Sequence, residues 1–582
     1  MSFRFFRLRS RRWRLAVLAA LPLLGGGIYA GIALTASAQA DGGWGGGGLR
    51  PGNLLVFTST YQTANITPGS TVLPPGCTAA SAAASGTPCA TAGYDGTYPQ
   101  VFNNDADDGS FGITSPIILD ELDPYSGHLL DKIPVPTSDL VTSFSSKSEG
   151  ALNLSTNGKY VSFMGYAAPP ATIDASASNA PGEVDPTDPV TASYYRTVAM
   201  LNSRGRFRFT ETNAYTGDNG RAAIVASGSD PTIFMAGNAG NGNATFPPPS
   251  GTTQFPGVVL GAGAQSIAPS IGSEPFQSPG PPMPVGSFDV TQLGDKQDKI
   301  GKDDNFRGMT IYNNVLYYTK GSGSNGVNTV YFVDTTGTAC PSGAGLPAPS
   351  ATLPTAPLDY NLPAIQAGGG LPSNMCILKG FPTLLAKSKT GVSYPFGIWF
   401  ANPDTIYLAD EGSGDNTYST TTQTYTNALP ANNPTAGLQK WVFDSATGQW
   451  NLAYTLNSGL KLGQPYTIPG YPTGDNSATD LPWAPATDGL RNITGRVNPN
   501  GTATIWAESS TVSGGGDQGA DPNKLYTITD KLGATTLPTN ESFTAIASAG
   551  FGQVFRGVSF TPGTRPRGFE QWGRRQHGRR EY

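Results

Sequence analysis

The sequence predicts an all-β protein, specifically a β-propeller, and three observations lead to that prediction. The chain of 582 residues contains 75 Gly and 49 Pro, and only 13% of its residues are charged. This composition suits short strands joined by turns and opposes a helical enzyme, a coiled coil or a charge-rich disordered chain. β-Branched and aromatic runs are bounded by turn residues. A strand motif also recurs along the whole chain.

The recurring motif is a short strand whose first or second residue is glycine, and most copies continue through a tight turn into a second strand. Further along each unit, a strand ends in Asp or Asn and is followed by a glycine turn. Four antiparallel strands in a radial repeat describe a propeller blade. The motif starts are Glu149, Gly220, Arg307, Phe396, Asp488 and Arg556.

The number of copies predicts six blades, with a closing blade built from both ends of the chain. The last copy, Arg556–Phe560, supplies only one strand, while three strands at Leu54–Thr58, Pro116–Leu122 and Leu129–Val135 precede the first complete repeat. Together they would form one blade and hide the sheet edges. A ring of seven is the alternative, because residues 221–300 could hold one more degenerate blade.

Long inserts rich in Gly, Pro and Ser enlarge the blades well beyond the ~40–50 residues that a bare blade needs. We interpret them as surface loops. They cover residues 68–100, 168–192, 240–285, 338–375 and 411–435.

The N-terminus has the layout of a secretory signal peptide. Residues 1–14 hold six arginines and no acid, Leu15–Thr35 is apolar, and small-x-small cleavage patterns lie within Ala36–Ala40. Ser10–Leu15 resembles a twin-arginine export motif, although Arg14 stands where an apolar residue is usual. Both the twin-arginine and the general signal remain open, as does an uncleaved anchor. The prediction is a secreted, cell-surface or periplasmic protein.

The predicted domain organisation follows from these segments. Residues 1–40 are a signal peptide, 41–51 a Gly-rich linker, 52–564 a single propeller domain and 565–582 a basic disordered tail. The overall net charge of −5 conceals this division. Without the six basic residues of the leader and the six of the tail, the body has 24 basic and 39 acidic residues, a net of −15. An acidic body argues against a nucleic-acid partner, and no later segment could span a membrane.

The four cysteines form no CxxC pair, which leaves a metal or redox motif unsupported. An even number after an export signal predicts disulfides. Of the three possible pairings we favour the local one, Cys77–Cys89 and Cys340–Cys376, in which each bond staples one insert.

Two stretches, Ser148–Tyr166 and Tyr98–Leu119, are similar to segments of large secreted bacterial β-propeller-like proteins of uncharacterised function. The similarity extends over most of residues 52–563. It implies a propeller fold and secretion, and it implies no chemistry. The motifs that carry it are Ser148-Glu149-Gly150 with Asn157-Gly158-Lys159-Tyr160, and Phe111-Gly112-Ile113-Thr114-Ser115-Pro116.

Histidine is too rare for most catalytic centres. Only His128 and His577 occur, and there is no GxSxG elbow, so the sequence opposes a Ser-His-Asp hydrolase and a His-rich metal site.

Carboxylates offer a calcium site instead, because oxygen ligands suit Ca²⁺. Asp105, Asp107 and Asp108 form the densest group, but Gly109 comes one residue too late for an EF-hand-type loop. A solvated turn is the simpler interpretation. Acidic residues also cluster at Asp303 and Asp304, and at Asp410, Glu411 and Asp415.

The strongest candidate site is the ring formed by the motif starts. Because the innermost strand of every blade borders the axis, their first residues should meet at one mouth of the channel. One interpretation is a network of ion pairs between blades. The other is a polar ligand site in which Arg307 and Arg556 bind a carboxylate or sulfate and Glu149 or Asp488 is the acid or base. The predicted axial ring is Glu149, Arg221, Arg307, Asp488 and Arg556.

Two functions remain open at this stage. The first is an exported binding or interaction scaffold with an extracellular ligand or surface polymer as partner. The second is a Ca²⁺-dependent propeller hydrolase, lactonase or lyase with a polar site at the channel mouth. The fold alone does not choose between them.

Overall fold

The computed structural model contains six antiparallel sheets that each repeat the same four-stranded plan. It describes residues 48–85, 88–99, 112–183, 190–228, 231–238, 263–270, 282–296, 302–322, 325–358, 373–388, 391–515 and 519–565. The blade strands in chain order are β1 (Leu54–Thr60), β2 (Ile117–Leu122), β3 (Leu129–Pro134), β4 (Asn153–Leu154), β5 (Tyr160–Tyr166), β6 (Arg196–Asn202), β7 (Phe207–Thr212), β8 (Gly220–Ala226), β9 (Thr232–Gly237), β10 (Ala264–Ile267), β11 (Met283–Gly286), β12 (Met309–Tyr312), β13 (Val315–Lys320), β14 (Thr329–Val333), β15 (Met375–Leu378), β16 (Pro395–Asn402), β17 (Thr405–Asp410), β18 (Gly437–Asp444), β19 (Gln449–Leu456), β20 (Ala486–Val497), β21 (Thr502–Val512), β22 (Lys524–Lys531), β23 (Thr544–Ser548) and β24 (Gln553–Phe560).

The predicted six-bladed propeller is confirmed. Blade 1 has the strand order β24-β1-β2-β3, and blades 2 to 6 take four consecutive strands each, from β4–β7 to β20–β23. The inner strands are therefore β24, β4, β8, β12, β16 and β20. Blade 3 spans Gly220–Gly286 as one sheet, so the described part of this region forms a single blade.

Both ends of the chain build blade 1, as predicted. β24 pairs antiparallel with β1 from Leu54 opposite Phe560 to Thr60 opposite Gln553, with one bulge after Phe57. β1 then pairs with β2 on its other side. The C-terminal strand thus supplies the inner strand that the three N-terminal strands lack, and the ring closes.

The Asp/Asn–Gly motifs lie after the third strand of five of the six blades, blade 3 being the exception. Asp123 Oδ1 accepts the backbone N–H groups of Tyr125 and Ser126 at 3.1 and 2.8 Å. Gly127, which ends that turn, has a φ of +68°, a conformation that glycine adopts without steric cost. The same arrangement recurs at Asp444, whose Oδ1 accepts from Ala446 N at 2.9 Å.

The hydrophobic core lies mainly between neighbouring blades. Blades 1 and 2, for example, bury Leu55, Phe57, Val161 and Phe163 together, and the rings of Phe57 and Phe163 meet edge to face at 5.6 Å. A chain of such contacts round the ring makes each blade depend on its neighbours.

Both predicted disulfides are present. Cys77–Cys89 staples the insert between β1 and β2, which contains the short helix α1 (Ala79–Ser85). Cys340–Cys376 ties the segment after β14 to β15, the fourth principal strand of blade 4. Among the described residues, none of the helices has the length and apolarity needed to cross a membrane.

The remaining elements are short and lie in the inserts or between blades. Four small two-stranded sheets pair Val72–Leu73 with Ala90–Thr91, Thr114–Ser115 with Thr142–Ser143, Tyr418–Ser419 with Thr424–Tyr425, and Asp475–Asn476 with Leu481–Pro482. Ala344–Gly345 adds a parallel strand to β15. The 3₁₀ turns are Ala175–Ala177, Val290–Leu293, Lys302–Asp304, Ala386–Ser388 and Thr426–Ala428.

Candidate functional site at the mouth of the axial channel

At four of the six motif starts the glycine lies where neighbouring inner strands touch, and at a fifth Gly489 lies against the backbone of Asp410–Gly412. A Cβ added to Gly557 would lie 2.1 Å from the carbonyl oxygen of Gly150, and one added to Gly308 would lie 2.2 Å from that of Phe396. Real Cβ atoms do not approach backbone so closely. We call this level of the channel the glycine neck; its members are Gly150, Gly308, Gly397, Gly489 and Gly557.

At the level of Arg307 and Asp488, the residues immediately before Gly308 and Gly489, a group of charged side chains surrounds the buried carboxylate of Glu411. Its Oε1 lies 3.6 Å from Lys147 Nζ and 3.8 Å from Arg307 Nη2, and its Oε2 accepts from Arg491 Nε at 3.2 Å. These four residues and Asp488 are called the charged mouth. They come from the linker before blade 2, the starts of blades 4 and 6, and the end of β17 in blade 5.

The backbone around Glu411 fixes its position. Its N–H donates to Tyr394 O at 3.0 Å, and its carbonyl accepts the hydroxyl of Ser510 at 2.5 Å. Burial raises the pKa of Glu411, but Lys147, Arg307 and Arg491 outweigh that effect and hold the pKa at about 2. Glu411 is therefore a permanent anion at physiological pH.

Asp488 has the opposite protonation behaviour. It is 1% exposed, its Oδ2 accepts from Gly414 N at 2.8 Å, and burial with the charges of Glu411 and Asp410 raises its pKa to about 7. Asp410, which accepts from Tyr394 N at 2.9 Å, has its pKa raised to about 6, chiefly by burial. Asp488 is thus a proton donor and acceptor near neutral pH.

Lys147 gives solvent access to the charged mouth, because 31% of its side chain is exposed whereas Arg307, Glu411 and Arg491 are 3–5% exposed. Desolvation lowers the pKa of Lys147 to about 8, and Arg307 and Arg491 add to that effect against the attraction of Glu411. At neutral pH the mouth then holds three cations against Glu411 and a partly ionised Asp488, and the neighbouring Asp410 reduces this cationic surplus.

The predicted ring residues Arg307 and Asp488 meet in the charged mouth, while Glu149 makes a separate network. Each carboxylate oxygen of Glu149 accepts two hydrogen bonds. Oε1 accepts from the Tyr166 hydroxyl at 2.5 Å and the Asn219 amide at 2.8 Å, and Oε2 accepts from the Thr142 hydroxyl and the Ser143 N–H, both at 3.1 Å. This saturated set fixes the linker before β4.

Arg221 and Arg556, also predicted for the ring, bind backbone carbonyls. Arg221 donates to Phe306 O at 2.9 Å, and burial followed by the charge of Arg307 lowers its pKa to about 9. Arg556 donates to the carbonyls of Phe144 and Gly519. Both guanidinium groups therefore connect blades or loops around the mouth.

Several buried polar atoms around the mouth have no hydrogen-bond partner within the described part of the chain. They are Arg221 Nε, Arg307 Nε, Asp488 Oδ1 and both carboxylate oxygens of Glu508. Glu508 is 1% exposed, and burial raises its pKa well above the usual range despite the charges of Arg556 and Arg491. Unpaired polar atoms are rare in protein interiors, and their concentration here suits a site that receives a polar ligand.

On the other side of the glycine neck, the same inner strands line a mainly apolar cavity of about 500 Å³, whose wall also includes Asn153, Thr494 and Arg496. All six blades contribute to its wall. Its principal side chains are Leu152, Ile224, Ile311, Ile398, Phe400, Ile493 and Phe560. Two different environments therefore share one axis: a charged mouth and a cavity with a mainly apolar wall.

The predicted calcium ligands Asp105, Asp107 and Asp108 lie outside the described residues. Within the described ranges, no three His, Cys, Asp or Glu side chains are grouped so that they could hold a metal ion. Calcium binding stays a prediction.

Three members of the charged mouth were not predicted as site residues. Arg491 lies three positions after Asp488, within an aligned motif, whereas Lys147 lies two positions before Glu149 and therefore just outside one. Glu411 was visible only as part of an acidic cluster. A search for charges in the loop after the second strand of each blade would have found it.

Comparisons with known proteins assign no family. No family model and no curated protein matches the chain. Solved structures with some similarity include the periplasmic gluconolactonase PpgL of Pseudomonas aeruginosa, at 11% identity and a TM-score of 0.35 over 88% of this chain and 98% of that one. An ulvan lyase of polysaccharide lyase family PL25 has 9% identity and a TM-score of 0.26 over 69% and 73%. These similarities are too low to transfer an activity.

Proposed function

We propose that this protein is an exported propeller that binds a carboxylate- or sulfate-bearing extracellular ligand at the charged mouth and acts as a binding or interaction scaffold. The observation that carries the proposal is the cationic group around Glu411. Three cations already accommodate one buried carboxylate there, and neighbouring polar atoms have no protein partner within the described residues. Hydrogen bonds between an arginine or lysine and a carboxylate or sulfate are stronger than those between neutral groups.

Export is supported by the signal-peptide pattern of residues 1–40 and by the two disulfides. Disulfides persist in oxidising compartments such as the periplasm or the cell exterior. The ligand would then be a free or polymeric anion outside the cytoplasm, for instance an acidic or sulfated glycan.

Calorimetric titration with glucuronate and with glucose 6-sulfate tests the proposal. Lys147→Gln removes the exposed cation and should weaken binding about tenfold, or about 1.4 kcal/mol. Lys159→Gln in the exposed hairpin turn is the matched control and should leave the Kd unchanged. Binding of neither anion, or an equal loss in both variants, would contradict an anion site at the mouth.

A hydrolase, lactonase or lyase at the same mouth is the second candidate, and the protonation of Asp488 favours it. A carboxyl group that titrates near neutrality suits general acid–base catalysis. The Ca²⁺-dependent form depends on Asp105, Asp107 and Asp108 and is tested by measuring bound calcium in the purified protein. Stoichiometric calcium whose removal leaves the fold intact would favour this enzyme over the scaffold.

A further inference from the structure

The charged mouth contains an accessible amine in a setting that suits covalent chemistry with a carbonyl compound. We propose that Lys147 forms an imine with a 2-oxo carboxylate held at the charged mouth. The inference rests on the proposed anion site and adds to it a substrate class and a reactive residue.

The geometry supports one ligand that reaches both kinds of group. Lys147 Nζ and Arg307 Nη2 approach the same oxygen of Glu411, at 3.6 and 3.8 Å, and Arg491 Nε lies 3.2 Å from the other oxygen. In a 2-oxo acid the carbonyl carbon is bonded directly to the carboxylate carbon. A carboxylate beside Arg307 therefore brings the carbonyl carbon towards the amine of Lys147.

The environment of Lys147 also favours the nucleophilic form of its amine. Desolvation and the two neighbouring guanidinium groups lower its pKa to about 8, so a useful fraction is neutral at physiological pH. Lysines next to other cations are activated in this way. Because 31% of the side chain is exposed, a dissolved ligand can reach it.

The reaction needs no oxidant or reductant. The nitrogen of Lys147 attacks the carbonyl carbon and forms a C–N bond. The two amine hydrogens and the carbonyl oxygen leave as water, and a C=N bond remains. Asp488, whose charge acts on Lys147, is the group that can give the proton to the departing hydroxyl and take it back on hydrolysis.

Other lysines with altered surroundings are less suitable. Lys320 is fully buried, and its amine donates to Ser322 O, Asn325 O and Asn328 Oδ1. Lys440 is also fully buried and its amine contacts Tyr454, Asp530 and the Lys531 carbonyl. Both amines are held by three oxygen acceptors and have no access to solvent, whereas 31% of the Lys147 side chain is exposed. The amine of Lys524 lies over the Tyr466 ring, 3.6 Å from its centroid, away from the charged mouth.

Reductive trapping with the full-length protein tests the inference. Pyruvate and cyanoborohydride should add to the Lys147 peptide the mass of pyruvate less one oxygen atom. We expect labelling at least tenfold faster than at Lys159, the exposed control lysine, and no label in Lys147→Arg. Lactate, which has the carboxylate of pyruvate but a hydroxyl in place of the keto group, should slow the labelling and give no adduct.

The outcomes separate the two proposals. Protection by lactate in a thermal-shift assay, together with equal labelling of Lys147 and Lys159 by pyruvate, would overturn imine formation and leave the anion site standing. No binding of lactate, pyruvate or glucuronate, and no selective label, would overturn both. A selective adduct at Lys147 that disappears in the arginine variant supports both.

Discussion

Glu411 and Asp488 are two carboxylates of the same mouth whose surroundings move their pKa values in opposite directions. Glu411 has three cations within 4 Å and stays ionised, whereas Asp488 has one backbone donor and two nearby carboxylates. The difference comes from neighbours that are far apart in the sequence. The environment of each carboxylate, and not its residue type, makes Glu411 a permanent anion and Asp488 a proton donor and acceptor.

Asp488 should make the protein less stable as the pH rises. Its pKa is raised from 3.8 to about 7, so between these values the folded state retains a proton that the unfolded chain has lost. The stabilisation is complete below pH 3.8 and is lost as the pH rises to about 7. Asp488→Asn should remove this pH-dependent loss of stability. Between pH 4 and pH 8 the free energy of unfolding of the variant should therefore rise by roughly 2–4 kcal/mol relative to that of the wild type.

Urea unfolding at pH 4, 6 and 8 measures the effect. Asp480→Asn is the matched control because Asp480 is exposed, and it should reproduce the wild-type pH dependence. If the free energy of unfolding had the same pH dependence in the wild type and in Asp488→Asn, the raised pKa of Asp488 would not contribute to stability.

At the scale of the strand, the glycine neck explains why a glycine accompanies five of the six motif starts. Inner strands of neighbouring blades approach so closely that their backbones touch, and an isolated parallel bridge joins Ala151, just before β4, to Ala222 of β8. A side chain on the glycine would push two blades apart. The repeat visible in the sequence is thus a packing requirement of the axis.

Gly557→Ala should destabilise the closing strand strongly. The added Cβ would lie 2.1 Å from Gly150 O and 2.6 Å from Leu152 N, and because both contacts are backbone atoms we expect a loss of about 3 kcal/mol. Gly533→Ala is the control, since nothing lies within 4 Å of its Cβ position. Thermal unfolding of the two variants tests this; equal melting temperatures would mean that the neck is wider than the structure shows.

At the scale of the whole molecule, stability depends on ring closure. β24 is buried along all but its first residue, and its partner β1 is buried along all but its last. Loss of β24 would expose an inner edge and the apolar faces of blades 1 and 6 at once.

Truncation tests this dependence. Removal of residues 551–582 deletes β24 and should abolish cooperative unfolding, whereas removal of 566–582 deletes no described strand and should leave the melting temperature within about 2 °C. Thermal unfolding followed by circular dichroism, for both truncated chains and the full-length protein, provides the measurement. A chain ending at residue 550 that melts like the full-length protein would refute closure by the C-terminal strand.

The sequence by itself determined the blade plan and its closure. Turn residues, strand length and the glycine beside Glu149, Arg307 and Asp488 recur because they are local requirements of every blade, so periodicity reveals them. The same locality made the disulfide pairs predictable, because each bond spans one insert.

Only the tertiary structure decided which charges share the mouth. Lys147, Arg307, Glu411 and Arg491 come from four separate parts of the ring and meet around one carboxylate. The sequence placed Glu149 and Arg556 beside them, yet Glu149 is saturated by its own network and Arg556 binds backbone carbonyls. Side-chain reach and burial set these partnerships, and neither follows a repeat. Periodicity therefore fixes the scaffold, while three-dimensional packing selects the chemistry of its mouth.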